Sequence, residues 1–320
     1  MISRRSFLGA LGASLAVPGL RAAGHDAFDQ AQPAGEWGSP VLDLHFHMRG
    51  QPAANLAHLD GAGIAKANLL TRATGAEQVA AVQAAAPGRF IWFASADIAQ
   101  PANIEALTQA VKNGARGFGE IKLHYATDGP EFRRAYALAA DLGVPILIHF
   151  QEVDHTEGEG KWSPGFATKF ESILKEFPKT TFIGHADAFW ANVSADYHNE
   201  EAYPAGPIVR GGVTDRLLRD YPNLYGDLSA NSGNNMLSRD ATFTRELLAR
   251  HQDKLMFGSD CACSDGHGAG ISQGNNPAAA RMVGKCVARE TLTVLKRSAS
   301  DEVFRKITWG NVHKLLKVPQ

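Results

Sequence analysis

The chain is poor in the features that mark several protein classes. It has 3 cysteines in 320 residues, too few for the disulfide framework of a small secreted module. No apolar run reaches the roughly 18–20 residues needed to cross a bilayer. Charge is nearly balanced, with 32 Lys+Arg against 33 Asp+Glu, which removes the electrostatic argument for a nucleic-acid partner. There is no H-E-x-x-H pair and no Walker loop, so two familiar motifs are excluded. What is present is 44% hydrophobic and 20% charged residues. That is the composition of a globular chain long enough for one large barrel or two smaller domains.

Residues 1–23 lack any acidic residue. Ser3 to Leu8 reads S-R-R-S-F-L, with Arg4 and Arg5 ahead of a short run of small and apolar residues that Pro18 interrupts. This segment resembles a twin-arginine export signal, with cleavage expected near Ala22 or Ala23. Residues 24–38 then read as a polar linker and 39–320 as the folded unit. Loss of Arg4, Arg5 and Arg21 leaves a mature chain about four charges negative. The leader implies a periplasmic protein, not held at the membrane once the signal is removed, that is exported already folded and able to carry a metal loaded in the cytoplasm.

Short apolar runs alternate with helical patterns along the rest of the chain. Strands are expected at 41–47, 64–71, 90–96, 117–124, 144–149, 181–185, 224–229 and 255–259. Helices are expected at 76–86, 104–112, 131–142, 167–177, 213–221 and 242–251, with two more at 277–296 and 300–316 after the eighth strand. Eightfold strand–helix alternation argues a parallel sheet with helical crossovers. An α/β fold of the (β/α)₈ TIM-barrel type with extra C-terminal helices fits this length better than an open sheet, and it predicts reactive residues at the C-terminal strand ends.

Those ends carry them. His45 and His47 close the first strand in V-L-D-L-H-F-H, and a spacing of two puts both imidazoles on one face, about 6.6 Å apart along it. Twelve histidines in the chain would produce about half of such a pair by chance, so the pair alone is weak. His149 ends I-L-I-H, His185 ends T-F-I-G-H, and Asp260 follows M-F-G-S. Five metal-compatible side chains at the ends of the first, fifth, sixth and eighth strands form a set that chance placement does not explain.

On these residues the chain resembles the amidohydrolase superfamily of metal-dependent barrel hydrolases. It looks closest to the amidohydrolase-related branch that includes aminocarboxymuconate-semialdehyde decarboxylase. The opening D-L-H-F-H (Asp43 to His47), I-G-H (Ile183 to His185), G-S-D (Gly258 to Asp260) and the closing W-G-N-V-H-K-L-L (Trp309 to Leu316) carry the likeness. The resemblance implies one or two divalent ions, with zinc expected, held by His45, His47, His149, His185 and Asp260. It places His45, His47, His149 and Asp260 on one shared ion. Strand four departs from the pattern: G-F-G-E-I-K-L-H puts Glu120, Lys122 and His124 on one alternating face. Glu120 in G-E-I resembles the bridging carboxylate of TatD-like metal-dependent nucleases. Lys122 is an alternative, as a carboxylated bridge or a substrate-carboxylate binder, and a buried Glu120–Lys122 pair that holds the barrel shut is a third reading.

Asp43 either orients a ligand imidazole or caps the core strand. Cys261, Cys263 and Cys286 read as unpaired thiols, because C-x-C is a poor zinc spacing. G-H-G-A-G (Gly266 to Gly270) mimics a dinucleotide fingerprint but follows no strand. The loops 151–165, 186–206 and 261–276 are expected to build the substrate site, with Trp162, Phe189, Trp190, Tyr197 and Tyr203 lining it. Lys122 and Arg210 would pair with a substrate carboxylate.

The function these readings imply is hydrolysis of an amide, lactone or ester in a small molecule, by a metal-activated water on a carbonyl carbon. Asp260 would move the proton, and His185 would serve as a ligand or an acid. Non-oxidative decarboxylation or hydration by the same residues is an alternative, and a non-catalytic exported binding protein is a rival from another class. The leader supplies a test of its own. Replacing both Arg4 and Arg5 by Lys should abolish periplasmic accumulation in a cell-fractionation assay, and an unchanged periplasmic yield would refute the twin-arginine route.

Overall fold

The structure, a computed structural model, describes residues 28, 32, 34–274 and 277–316. The expected export signal lies outside the described residues. The end of the expected linker is already docked, since Trp37 Nε1 donates to Ala62 O at 3.0 Å and Glu36 pairs with Arg289 at 2.8 Å.

Eight parallel strands follow one another in a single sheet, in the spatial order of the sequence. They are β1 (Leu42–His47), β2 (Lys66–Arg72), β3 (Phe90–Ser95), β4 (Phe118–Ile121), β5 (Ile146–His149), β6 (Phe182–His185), β7 (Leu224–Asp227) and β8 (Leu255–Met256). Between them run α1 (Pro52–Ala62), α2 (Ala76–Ala85), α3 (Pro101–Lys112), α4 (Pro130–Leu142), α5 (Phe166–Glu176), α6 (Asp187–Ala191), α7 (Val213–Asp220), α8 (Ala230–Arg239) and α9 (Ala241–Arg250). After β8 come a 3₁₀ turn at Pro277–Met282, α10 (Val287–Ser298), α11 (Asp301–Arg305), a π turn at Lys306–Gly310 and α12 (Asn311–Leu315). This is the expected TIM barrel with C-terminal helices. Helices α1, α6 and α8 were not among those read from the sequence.

Local chemistry explains the elements. Pro52, Pro101 and Pro130 open their helices, where the missing N–H and fixed φ cost nothing. Helix α4 buries Phe132, Ala135, Tyr136 and Ala139, a 3–4–7 spacing that faces one stripe to the sheet. Leu42, Leu44, Leu70, Ile91, Phe93, Leu147, Ile183 and Met256 form one buried cluster. Side chains from six strands meet in this way only inside the barrel, so this apolar plug floors the mouth where the histidines sit.

All eight strands are shorter than the sequence predicts, and for β4 and β8 the reason is visible in their hydrogen bonds. Strand β4 was expected to reach His124, but past Ile121 the backbone leaves the sheet, and Leu123 O accepts from Ser163 N at 2.6 Å. The alternation therefore stops before His124, which is exposed and stacks on Trp162 with ring centroids 3.6 Å apart. Strand β8 was expected to reach Ser259, but Phe257 N donates to Ile307 O at 2.9 Å.

The seam between β8 and β1 is closed by Asp43. Its Oδ1 accepts from His45 N (3.0 Å) and Ser259 N (2.8 Å), and its Oδ2 accepts from Ser259 Oγ (2.5 Å). Leu44 N to Phe257 O (3.0 Å) and Asp260 N to His45 O (2.8 Å) complete the join. Of the two roles expected for Asp43, this is the structural one: it holds backbone, not an imidazole ring. Burial pushes its carboxyl up to about 6 against the pull of the Ser259 and His45 donors. Asp43→Ala strands three buried donors, and the expected loss is about 3 kcal/mol, read as a lower urea midpoint at unchanged slope. A midpoint that does not move would remove Asp43 from the seam.

Candidate metal centre

The barrel brings His45, His47, Glu120, His149, His185 and Asp260 into one cluster at its C-terminal mouth. Glu120 stands in the middle. Its Oε1 is 2.5 Å from His149 Nδ1 and 3.4 Å from His185 Nε2, and its Oε2 is 3.4 Å from His47 Nε2. Asp260 Oδ1 lies 3.4 Å from His47 Nε2 and 3.8 Å from His45 Nε2, and Oδ2 lies 3.8 Å from His185 Nε2.

The surrounding hydrogen bonds decide which way each imidazole presents its lone pair. His45 Nδ1 is 2.7 Å from Asp227 Oδ2. A carboxylate accepts, so Nδ1 carries the proton and Nε2 faces the mouth with its lone pair. Ser229 Oγ donates to Asp227 Oδ2 (2.8 Å), so it accepts from His185 Nδ1 (2.8 Å), and His185 Nε2 also faces inward with a lone pair. Gln151 Nε2 donates to Glu159 Oε2 (3.0 Å) and Val153 O (3.1 Å), which turns its Oε1 to His149 Nε2 at 3.0 Å. His149 Nδ1 in turn meets Glu120 Oε1 at hydrogen-bond distance, 2.5 Å, where the carboxylate accepts. The Nε2 atoms of His45 and His185 are buried without a hydrogen-bond partner.

Lone pairs from two buried rings, His45 and His185, thus point at carboxylates, acceptor against acceptor. Such an arrangement is unfavourable unless a cation lies between them. The donor set therefore fits a divalent ion. The same crowding is felt as a proton affinity. Burial would lower the His45 pKa, but Asp260 and Asp227 carry it up to about 10. Burial would raise Glu120, and His149, His185 and His47 together hold it well below the usual carboxylate range.

The donors fall into overlapping triads: His45, His47 and Glu120 on one side, Glu120, His149 and His185 on the other, with His45, His185 and Asp260 across the top. Glu120 belongs to two of them. It lies between the two histidine pairs, as a bridging position requires, whereas His149 is grouped with Glu120 and His185 rather than with His45 and His47. Asp260 adopts φ +45°, a left-handed backbone that an Asp tolerates at a cost typical of functional sites.

Other expected residues are placed differently. Lys122 sits just beyond β4 with Nζ 4.9 Å above the Trp162 ring, and no Glu120–Lys122 ion pair holds the barrel. Trp162 flanks the mouth, its Nε1 donating to Glu159 Oε1 at 3.1 Å. Trp190 and Phe189 are buried in the core, because α6 turns them under the sheet, and Trp190 Nε1 donates to Asp227 O at 2.7 Å. Tyr197 is buried with its hydroxyl on Glu201 O at 2.9 Å, and Tyr203 stacks near His155 with centroids 5.5 Å apart. Arg210 is exposed and holds Glu246 at 2.7 Å, so its guanidinium is committed to a surface pair. A cavity of about 470 Å³ opens beside Glu120, lined by Arg72, Thr74, Ser95, Asp97, Asn103 and Lys122. It leans toward the ends of β2 to β4, not toward loop 186–206.

Sequence reasoning missed Asp227, Ser229, Gln151 and Arg72. Asp227 and Arg72 do close their strands, in L-Y-G-D and N-L-L-T-R, which is the signal that singled out the histidines. Asp227 is the most telling of these. Asp227→Ala frees the rings of both His45 and His185, and should weaken metal binding about 10–100-fold in a metal titration. Asp227→Asn, which still accepts a hydrogen bond, should lose less. Equal, undiminished affinity in both variants would show that the rings do not depend on it.

With the fold and the cluster described, comparison with known proteins bears on both. No curated protein matches the chain in sequence. Among solved structures, the chain is similar to 5-carboxyvanillate decarboxylase from Novosphingobium aromaticivorans, complexed with manganese and 4-hydroxy-3-methoxy-5-nitrobenzoic acid. That likeness has 13% identity over 90% of this chain and 99% of that one, with a TM-score of 0.54. It is also similar to a candidate 2-pyrone-4,6-dicarboxylic acid hydrolase from Pseudomonas putida (13%, 88% and 98%, TM-score 0.54) and to dihydroorotase from Campylobacter jejuni (16%, 91% and 85%, TM-score 0.51). At these identities the likeness is one of fold. The amidohydrolase family profile, in contrast, matches residues 25–318, nearly the whole chain, and this protein belongs to the amidohydrolase family.

Proposed function

We propose that the protein is a metal-dependent hydrolase of a small carboxylate-bearing amide, lactone or ester, with two ions bridged by Glu120. One observation carries the reading: the buried, unpartnered Nε2 atoms of His45 and His185 face Glu120 and Asp260, with hydrogen bonds behind both rings fixing their tautomers and with His47 and His149 beside the same carboxylates. Zinc is the assigned ion, because four imidazoles and two carboxylates form a nitrogen-rich set, whereas manganese favours oxygen donors. A divalent ion bound there supplies Lewis acidity and lowers the pKa of water toward about 7.

The chain's own residues do the rest. His45, His47 and Glu120 form one half of the centre, and Glu120, His149 and His185 the other. Asp260 has 27% of its side chain exposed, so unlike His45, His149, His185 and Glu120 it is reachable from solvent. It takes the proton of the attacking water and returns it to the leaving group. Arg72 and Lys122, on the cavity wall beside Glu120, bind the substrate carboxylate and set its distance from the centre. This replaces the expected pairing of Lys122 with Arg210.

The same two cations favour one second reading, removal of a carboxylate as carbon dioxide, since they hold that group beside the ions. Reaction in ¹⁸O-water separates the two: hydrolysis puts ¹⁸O into the product acid, and decarboxylation releases carbon dioxide and leaves no ¹⁸O in the organic product. For the bridge, Glu120→Gln should cost one metal equivalent per chain relative to the unsubstituted protein and lower kcat at least 100-fold. Lys122→Ala should raise KM and keep the metal. An unchanged metal content in Glu120→Gln would overturn the bridge. We further assign the chain to the periplasm on the strength of Arg4 and Arg5.

A further inference from the structure

A second donor cluster lies outside the mouth, in the packing between the two ends of the barrel. His58 comes from α1, Cys261 and Cys263 from the loop after β8, and Cys286 from the residue that caps α10. All four are buried, and one ligand atom from each lies within 4.8 Å of every other. Cys261 Sγ is 3.3 Å from Cys263 Sγ and 3.8 Å from Cys286 Sγ, and Cys263 Sγ is 3.4 Å from His58 Nδ1. We propose that His58, Cys261, Cys263 and Cys286 form a closed structural zinc site, separate from the catalytic centre.

The distances favour a metal over loose thiols. Four ligands at about 2.0–2.3 Å from a tetrahedral ion stand about 3.4–3.8 Å from one another, and the two sulfur–sulfur separations above fall at or just below that range. Cys261 and Cys263 are also far outside the roughly 2.05 Å of a disulfide. Free cysteines are often buried as small apolar groups, but apolar packing does not account for the imidazole. His58 is fully buried; Cys263 O, 3.0 Å from its Nδ1, accepts the proton there, and Nε2 keeps a lone pair with no partner, as in an imidazole ligand held by a backbone carbonyl. Cys286 sits at the N-terminus of a twelve-residue helix, where the helix dipole favours the thiolate a metal needs.

Sequence spacing hid this site, because C-x-C reads poorly as a zinc motif and the other two ligands lie 23 or more residues away. The fold brings them together through close backbone contacts. A Cβ on Gly61 of α1 would stand 1.8 Å from Asp265 O, and one on Gly266 (φ +73°) would stand 2.6 Å from His58 O. Only glycine lets the loop after β8 lie this close to α1, so G-H-G-A-G is packing that delivers Cys263 to His58. Ligation expels the thiol protons to solvent and ties α1, the Asp260 loop and α10 into one unit. Asp260 immediately precedes Cys261, so this zinc braces the backbone that aims the catalytic carboxylate while leaving its side chain free.

Cobalt distinguishes this site from the mouth, because only thiolate ligands give a near-ultraviolet sulfur-to-cobalt charge-transfer band. The full-length mature protein loaded with Co²⁺ alone should show that band. It should persist in Glu120→Gln and vanish in Cys263→Ser/Cys286→Ser, and zinc analysis should find one equivalent fewer in the double variant than in the unsubstituted protein. The cobalt spectrum of the unsubstituted protein decides the matter even if the double variant fails to fold. Absence of the band there would overturn the proposal. So would a mass showing a Cys261–Cys263 disulfide in protein purified without reductant, or equal zinc content in the two proteins.

Discussion

The candidate site depends on one buried carboxylate that touches no substrate-facing space. Asp227 accepts from His45 Nδ1, Ser229 Oγ and Ser229 N, and through Ser229 it reaches His185 Nδ1. Each of these hydrogen bonds has one possible direction once the carboxylate is ionised. Two rings on strands β1 and β6 are therefore held with their lone pairs toward Glu120 and Asp260. Gln151 and Glu120 hold the His149 ring between them. Orientation is decided behind the rings, and the acceptor-lined centre in front of them is the consequence.

The barrel makes this affordable. Strands of a closed parallel sheet deliver their C-terminal residues to one rim, and the apolar plug of Leu44, Phe93, Leu147 and Ile183 below it excludes water. Charges on that rim interact in a medium much less polarisable than water, which is why His45 and Glu120 are shifted so strongly in opposite directions. The seam is the weak point of such a sheet, since β8 has two residues. Asp43 joins it by hydrogen bonds on the inside. The cysteine–histidine cluster lies outside the same seam, so both ends of the chain's barrel are tied where the backbone of Asp260 passes.

The two donor clusters divide by chemistry. Nitrogen and oxygen donors line an open mouth, where Asp260 and the cavity walls leave room for water and a substrate carboxylate. Three sulfur donors and the His58 imidazole lie together in the second, buried among packed segments. Family membership speaks to the first cluster, and only the geometry of this chain speaks to the second.

Much of this was legible in the residues themselves. The eight strands, the helical crossovers and the rim positions of His45, His47, His149, His185 and Asp260 follow from period and from what ends each apolar run, because strand alternation and barrel closure are local rules repeated eight times. Glu120 was visible as an inward residue of strand four. What sequence could not decide was where side chains from different strands meet. Trp190 and Arg210 read as substrate contacts, yet one lies under the sheet and the other on a surface pair, since loop residues take their direction from packing rather than from period. Asp227 and Ser229 matter through the rings of His45 and His185, far away in the chain, and Gln151 meets His149 only because Glu159 and Val153 O turn its amide. His58 and the three cysteines become a cluster only when α1, the loop after β8 and the start of α10 are pressed together. Convergence of distant segments is a property of the closed barrel, and no spacing along the chain encodes it.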